Sequence, residues 1–457
     1  MSKIKKTSND KILKCFVPSN LELDEVVKAY PPDMAKFKNK KFQIDNLKYL
    51  VSLVYVIPAR NKVIRDKCRK NKGYIPLCAK YLQNKIHDYR AYLDYLIEVG
   101  ILESDRQYII GKKACGFKLG EQYIKSKLKS VAVFRKSLSK VWEADKEAIN
   151  KYNHLYQWLI SGLEIDAKGA YQLNEARFEV EKCEDYFNAL SRYQSAFINI
   201  SYLEEGLHWF NQDEYGRLHT NLTNINKESR NFITYNGEKL VSIDIRNSQP
   251  YFFVSILENY FKGQIIDKKA ARRKEALEHA PSVSTDTIML VKSADFDLQE
   301  YPEDVQKFIC WVTKGTLYDK MVEEYGPAYF KNKKENPRTI IKGEIMKVFF
   351  SKNASYPRLK KQFRTLFPNV NRVIVDIKEK EYAYLAHLLQ RTESNAILDN
   401  ICTLVAKERP KAPLFTIHDS IVTTMENQSY ITNIMERVLE RVIGYPVVLK
   451  PEYWCVV

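Results

Sequence analysis

Two aspartates, Asp244 and Asp419, stand in runs of β-forming residues and are 175 positions apart in the chain. Asp244 falls in "KLVSIDI" (239–245), where a buried-looking strand gives way to a helix. Asp419 falls in "PLFTIHDSIVTT" (413–424), which reads as a hairpin with His418-Asp419 at its tip and no Gly or Pro to turn it. Asp disfavours strands, so the position needs a reason. A turn aspartate bonding its own backbone is the ordinary one. The chemical one is that carboxylates meeting on adjacent strands hold divalent cations, which activate an attacking oxygen and steady a leaving one in phosphoryl transfer. Magnesium suits such a pair, because it completes its shell with water and substrate phosphates. A third stretch, "RTIIKGEIMKVFF", puts Arg338, Lys342, Met346 and Phe350 four residues apart, close to one helix face. Cations at the N-terminal end of that face suit a triphosphate, and the helix dipole adds to them. The apolar end suits a sugar and base. An amphipathic helix with Met and Phe inward and the cations at the rim has the same spacing.

These residues need a scaffold, and the second half of the chain supplies its parts. The strand 239–245 leads into the helix "SQPYFFVSILENYF". "PEDVQKFICWVTKGTLYDKMVEEYG" reads as helical, as does "PRTIIKGEIMKVFFSK", with Pro337 in the first turn where a missing N–H costs little. "ESNAILDNICTLVAKE", the hairpin, a helix at 428–442 and a last strand in "VVLKPEYWCVV" complete it.

The first half differs in character. Residues 1–45 are polar and basic, as in a loose N-terminal arm. Residues 46–130 read as helix, two short helices and a β-hairpin, the outline of a winged helix. In that fold the third helix enters a major groove, and its exposed start here is His87, Asp88, Tyr89 and Arg90. Its wing carries Lys112 and Lys113. A protein-docking module has the same outline. The lysine-rich "LGEQYIKSKLKSVAVFRKSLSK" (119–140) reads as a phosphate-facing surface or as a solvated helix face. A helical, aromatic-rich spacer or thumb-like region spans 131–205, and 206–457 is the catalytic part.

Composition sets the limits. At 45% hydrophobic, the 457 residues make a globular protein of more than one domain. The 73 basic against 56 acidic residues give +17, which favours a polyanionic partner, nucleic acid before anionic membrane. No apolar run approaches the ~18 residues of a spanning helix, and "MSKIKKTSNDK" has no apolar signal core. The expectation is a cytoplasmic protein independent of membranes. Eight scattered cysteines without a C-x-x-C pair imply reduced thiols and no structural zinc.

The order of the chemical segments resembles that of the family A DNA polymerases and their relatives, the phage-type single-subunit RNA polymerases. "VSIDIRNSQPYF" is similar to their first motif, a strand ending in a metal-binding Asp. "RTIIKGEIMKVFFSK" is similar to the second, R-x3-K-x7-(Y/F) on the fingers helix, and "TIHDSIVT" to the third, the His-Asp hairpin. "YGRLHTNLTNI" (215–225), "KGTLYDKM" (314–321) and "LLQRTESNAI" (388–397) resemble three lesser elements in the expected order. The resemblance covers residues 206–457 and implies an α+β architecture: a palm with an antiparallel sheet and helical fingers, preceded by a mainly helical region with the winged-helix-like domain.

It also implies roles. Asp244 and Asp419 hold two Mg²⁺ ions (Mn²⁺ as a substitute), with the Ile245 carbonyl as a further ligand. Arg338 and Lys342 hold the incoming triphosphate, and Lys342 protonates the leaving pyrophosphate. Tyr318 lies near the phosphates, and Met346 and Phe350 near the nascent pair. Gln249 stands where the DNA polymerases have a Glu crowding the ribose 2′-OH. Arg217 and Gln390 meet the primer–template minor groove, and His418 the primer end. Ser351 departs from the family's Gly, and Met346 is closer to the RNA polymerase branch. A bulky Gln249 beside Phe350, which has no hydroxyl, favours deoxynucleotides. The expected activity is template-directed DNA synthesis on a 3′-hydroxyl, in replication of a mobile element or virus. Its partners are a DNA primer–template or RNA/DNA hybrid and nucleoside triphosphates. A phage-type RNA polymerase or primase is the alternative enzyme, and a non-catalytic DNA-binding initiator the alternative of another class.

Overall fold

The computed structural model describes residues 13–37, 41–61, 64–65, 67–68, 72–109, 113–139, 145–261 and 301–455. They form two compact units. One holds the residues up to 146 with 164–209 and 220–233, and the other 147–163, 210–219 and the residues from 234 onward. The chain therefore passes between units several times, where contiguous parts 1–45, 46–130, 131–205 and 206–457 were expected.

The first unit mixes helices with antiparallel strands. Its first strand, β1 (Leu13–Pro18), lies in the stretch expected as a loose arm. The run "LKCFVP" explains the difference: Leu13, Cys15, Phe16 and Val17 are buried, and a segment this apolar is held in a core. Beside it runs α1 (Ile44–Arg60), whose Ser52 hydroxyl accepts the Phe16 amide at 2.8 Å. Then come β2 (Ile75–Pro76), α2 (Ala79–Gln83), α3 (Tyr89–Glu98), β3 (Leu102–Ser104) and β4 (Gly116–Leu119). The strands form one antiparallel sheet in the order β2-β4-β3. The lysine-rich stretch, read as a phosphate-facing surface or a solvated helix face, contains a strand, β5 (Leu128–Val133), antiparallel to β1. β-branched Val131 and Val133 favour the strand, and Val133 is buried. Its lysines are partnered: Lys127 pairs with Glu175 and Lys129 with Glu22. Helices α4 (Ala167–Glu181) and α5 (Tyr186–Glu204) pack together, capped by Asp166 and Asp185.

The second unit is built on one central strand, β6 (Glu238–Ile245), in which Leu240, Val241 and Ile243 are fully buried. α6 (Ser248–Phe261) follows. The stretch expected to be helical from Pro302 forms two helices, α7 (Glu303–Thr313) and α8 (Leu317–Phe330). Gly315 breaks them apart at φ 69°, and an added Cβ there would stand 3.1 Å from Arg246 Cδ and 3.2 Å from Val448 Cβ. Next are α9 (Pro337–Phe350), α10 (Pro357–Leu366), α11 (Pro368–Ile377) and α12 (Tyr384–Ser394). The last of these runs on as a π-helical segment, Asn395–Cys402, into α13 (Thr403–Glu408). The hairpin β7 (Phe415–Ile417) and β8 (Ser420–Thr424), the helix α14 (Gln428–Ile443) and β9 (Leu449–Tyr453) close the unit. β6 lies between β8 and β9, antiparallel to both. A strand bonded on both edges and covered on both faces needs apolar residues in succession, as "LVSI" provides. Among the described residues no helix is long and apolar enough to cross a membrane.

Candidate functional site

Sheet register brings the two aspartates together. Asp244 lies opposite Ser420 across the β6–β8 ladder, so Asp419, one residue earlier, stands at the same end of the neighbouring strand. Ser242 donates its hydroxyl to Asp244 Oδ1 at 2.9 Å. The β7–β8 turn has only two residues, His418 and Asp419, because Ile417 already pairs with Ser420. His418 makes the turn with φ 54°, a left-handed backbone that strains a residue with a Cβ. Burial pushes the Asp419 carboxyl above the ordinary carboxylate range, and the charge of Asp244 adds to this. A hydrogen bond with Ser248 and the charge of Arg217 oppose it. Two carboxylates pressed together in this way favour an added cation. Among the described residues no group of three or more His, Cys, Asp or Glu side chains could hold a metal, so the pair is not an all-protein cage. Ile245, expected to lend a carbonyl, lies in β6 opposite Leu449.

Next to the pair lies a buried polar network. Arg217 reaches Glu393 of α12 with both arms of its guanidinium, Nε to Oε1 at 2.8 Å and Nη2 to Oε2 at 2.9 Å. Gln249 Nε2 donates to the same Oε2 at 2.5 Å. The Glu393 side chain is only 2% exposed and that of Arg217 20%. Burial pushes the Glu393 carboxyl up to about 7, against the pull of Arg217 and Gln249 and with the push of the Asp419 charge. The turn that carries Arg217 is pinned by Asp213, which accepts the Tyr215 amide at 3.0 Å and the Arg217 amide at 2.9 Å and meets His219 Nε2 at 3.0 Å. Gly216 has φ 88°, and a Cβ there would be 3.3 Å from that of Ser394, so a glycine lets this turn approach α12. The His219 ring lies edge-on to that of His418, with centroids 5.8 Å apart.

On α9 the stripe is graded from exposed to half-buried, as both a triphosphate-binding face and an amphipathic helix would be. Arg338 and Lys342 are exposed, while Met346 and Phe350 are half-buried. Arg338 pairs with Asp319 at 3.1 Å and lies 5.3 Å over the Tyr318 ring. Buried Tyr318 feels the charges of both Arg338 and Asp419, which links the start of α9 to the carboxylates. Lys342 has no ion-pair partner among the described residues.

Gln390 is half-buried on α12, and the residue that meets Arg217 is Glu393, one helical turn later. That role was readable: Leu385, Leu389, Glu393 and Ile397 recur every four residues, so a carboxylate sits on the buried stripe of a helix. The remaining expected residues belong to the first unit. Arg90 Nε donates to Tyr89 OH at 3.2 Å, and Lys113 pairs with Asp105 at 3.0 Å, so both cations already have partners. Lys112 lies outside the described residues.

No family model and no curated protein matches this sequence. Among solved structures the chain is similar to the POL domain of Pol1 from M. smegmatis in complex with DNA primer-template and dNTP. The TM-score is 0.34 and the identity 10%, over 66% of this chain and 69% of that one. So distant a likeness leaves the function to the site's own geometry.

Proposed function

We propose that the second unit is a nucleic-acid polymerase that adds nucleotides to a 3′-hydroxyl. The observation that carries this reading is the β6–β8 register, which sets Asp244 and Asp419 at the same end of adjacent strands, while Tyr318, overlain by Arg338, feels the Asp419 charge. Asp244 and Asp419 would hold Mg²⁺, which supplies activation of the attacking hydroxyl and charge stabilisation at the leaving oxygen. Arg338 and Lys342 bind the triphosphate, and Phe350 and Met346 pack on the base. Gln249 faces the sugar as a fixed group, because its amide is anchored on Glu393. A gate that cannot swing aside excludes a 2′-hydroxyl by sterics, which supports deoxynucleotides. In the first unit, the helices α1, α2 and α3 with the β2-β4-β3 sheet are read as a winged helix that grips nucleic acid.

Primer extension tests the reading: purified protein, Mg²⁺, labelled DNA and RNA primers on a template, and dNTPs against NTPs. Extension with dNTPs is expected, with at least a ~10³-fold loss in Asp244→Asn and Asp419→Asn. Gln249→Gly is expected to raise NTP use relative to dNTP. Absence of extension from every primer and of any primer-free product refutes the polymerase assignment.

A further inference from the structure

Arg217 follows Gly216, a residue type with a free backbone, so something must fix the direction in which its side chain leaves the turn. The peptide unit between them is held at both of its polar atoms. The Arg217 N–H donates to Asp213 Oδ1 at 2.9 Å, and the Gly216 carbonyl accepts from Gln212 Nε2 at 2.7 Å. A planar unit gripped at both ends cannot rotate, and it sets the Cα of Arg217 with it. Asp213 belongs to the turn itself. Gln212 ends the short strand Phe210–Gln212 and also reaches outside the turn.

The amide nitrogen of Gln212 has two hydrogens, and its second partner is the Tyr152 hydroxyl at 3.1 Å. Tyr152 is buried at the start of the helix Asn153–Ser161. Its own proton goes to Asp399 Oδ1 at 2.9 Å. Burial pushes the phenol up to about 12, so at neutral pH that proton stays in place. Asp399 lies in the π-helical segment that continues α12, and Lys151 Nζ meets it at 3.3 Å. π-helical turns are rare and gather at functional sites. The bonds run from Asp399 through Tyr152 and Gln212 to Gly216, and Arg217 closes the circuit on Glu393 of α12.

We infer that Tyr152 is a positioning residue for Arg217: its hydroxyl links Gln212 to Asp399 and so braces the Arg217 turn against the helical element that carries Glu393. An ordinary core tyrosine would also be buried and would give its hydroxyl one partner. This hydroxyl has two, and the bond beyond Gln212 ends on the peptide that sets Arg217. Another hold on the turn, Tyr215 stacked on His387 of α12 with ring centroids 4.1 Å apart, does not depend on Tyr152. Loss of the hydroxyl should therefore loosen the turn rather than unfold it. The brace itself is independent of the polymerase reading, and its consequence for primer extension rests on that reading.

Tyr152→Phe, Gln212→Leu and the double variant test this in the full chain. Hydrogen exchange read by mass spectrometry should speed up at least ~10-fold at the amides of residues 213–217 in each single variant, and the double should be no faster than the faster single. In primer extension, Tyr152→Phe should lower kcat/KM for primer–template by about 10-fold and leave the nucleotide KM unchanged. On an Arg217→Lys background the same change should cost nothing more. Unchanged exchange at residues 213–217 overturns the inference, whether or not the protein extends primers. So does a loss that persists with Arg217→Lys, which would show that Tyr152 acts elsewhere. If the wild type extends no primer, the polymerase reading falls, and exchange alone decides whether Tyr152 braces the turn.

Discussion

Replacing Arg217 by methionine should turn a buried ion pair into a pH-dependent liability. Glu393 is 2% exposed at its side chain, and both its oxygens are held by the Arg217 fork. In the intact protein, burial raises its carboxyl from 4.5 to about 7. A carboxyl raised on folding stabilises the fold fully below its unfolded value. That contribution is lost as pH rises to the folded value, because the unfolded chain releases the proton first. The wild type should therefore lose stability between 4.5 and about 7 and then level off, the loss being about 3 kcal/mol at 1.36 kcal/mol per unit. In Arg217→Met the strongest downward pull is gone, and the folded carboxyl keeps its proton to higher pH. Below about 7 the two proteins should fall in parallel, separated by about 2 kcal/mol for the lost hydrogen bonds. Above it the gap should widen by about 1.4 kcal/mol per unit. Glu393→Gln removes the titrating group and should flatten this dependence. Urea unfolding from pH 5 to 9, followed by tryptophan fluorescence, measures all three. Wild type and Arg217→Met running parallel up to pH 9 would show that Glu393 does not carry the buried charge argued here.

Asp419→Asn should stabilise the fold while abolishing extension, because it removes a carboxyl disfavoured by burial and by Asp244; a lower melting temperature than wild type at pH 7 would contradict this. Lys378 is buried, and its amine is lowered to about 8 from 10.5. Between those values the unfolded chain holds a proton that the folded one has released, so stability rises with pH there. Lys378→Met should lose that rise in a pH series of thermal melts.

Much of the second unit is legible from residue type and spacing. "KLVSIDI" reads as a strand from its β-branched Val241, Ile243 and Ile245, and Pro337 with the Arg338–Phe350 stripe marks α9 and its graded face. The helical stretch read from 302 to 326 is interrupted at Gly315, which has a positive φ and where a Cβ would crowd Arg246 and Val448, neither of them near in sequence. The loose arm failed at β1, because charge at its start masked "LKCFVP" and the partner strand lies more than a hundred residues on.

The sequence alone determined which groups were available: two carboxylates in β-runs, a cationic helix face and a basic excess. Each follows from composition and local period, which act over a few residues. Tertiary structure decided which of them meet. Antiparallel register put Ser420 opposite Asp244 and so Asp419 beside it, and a slip of one residue would have turned the carboxylate to the other face. It also gave Arg217 to Glu393, because the buried side of α12 is where a tightly turned glycine segment comes close enough to bond. The cations at Lys127 and Lys129 found glutamates, while Arg358, Lys361 and Arg364 on α10 have no ion-pair partner among the described residues. Charge is counted along the chain, but pairing depends on what folding brings within about 4 Å.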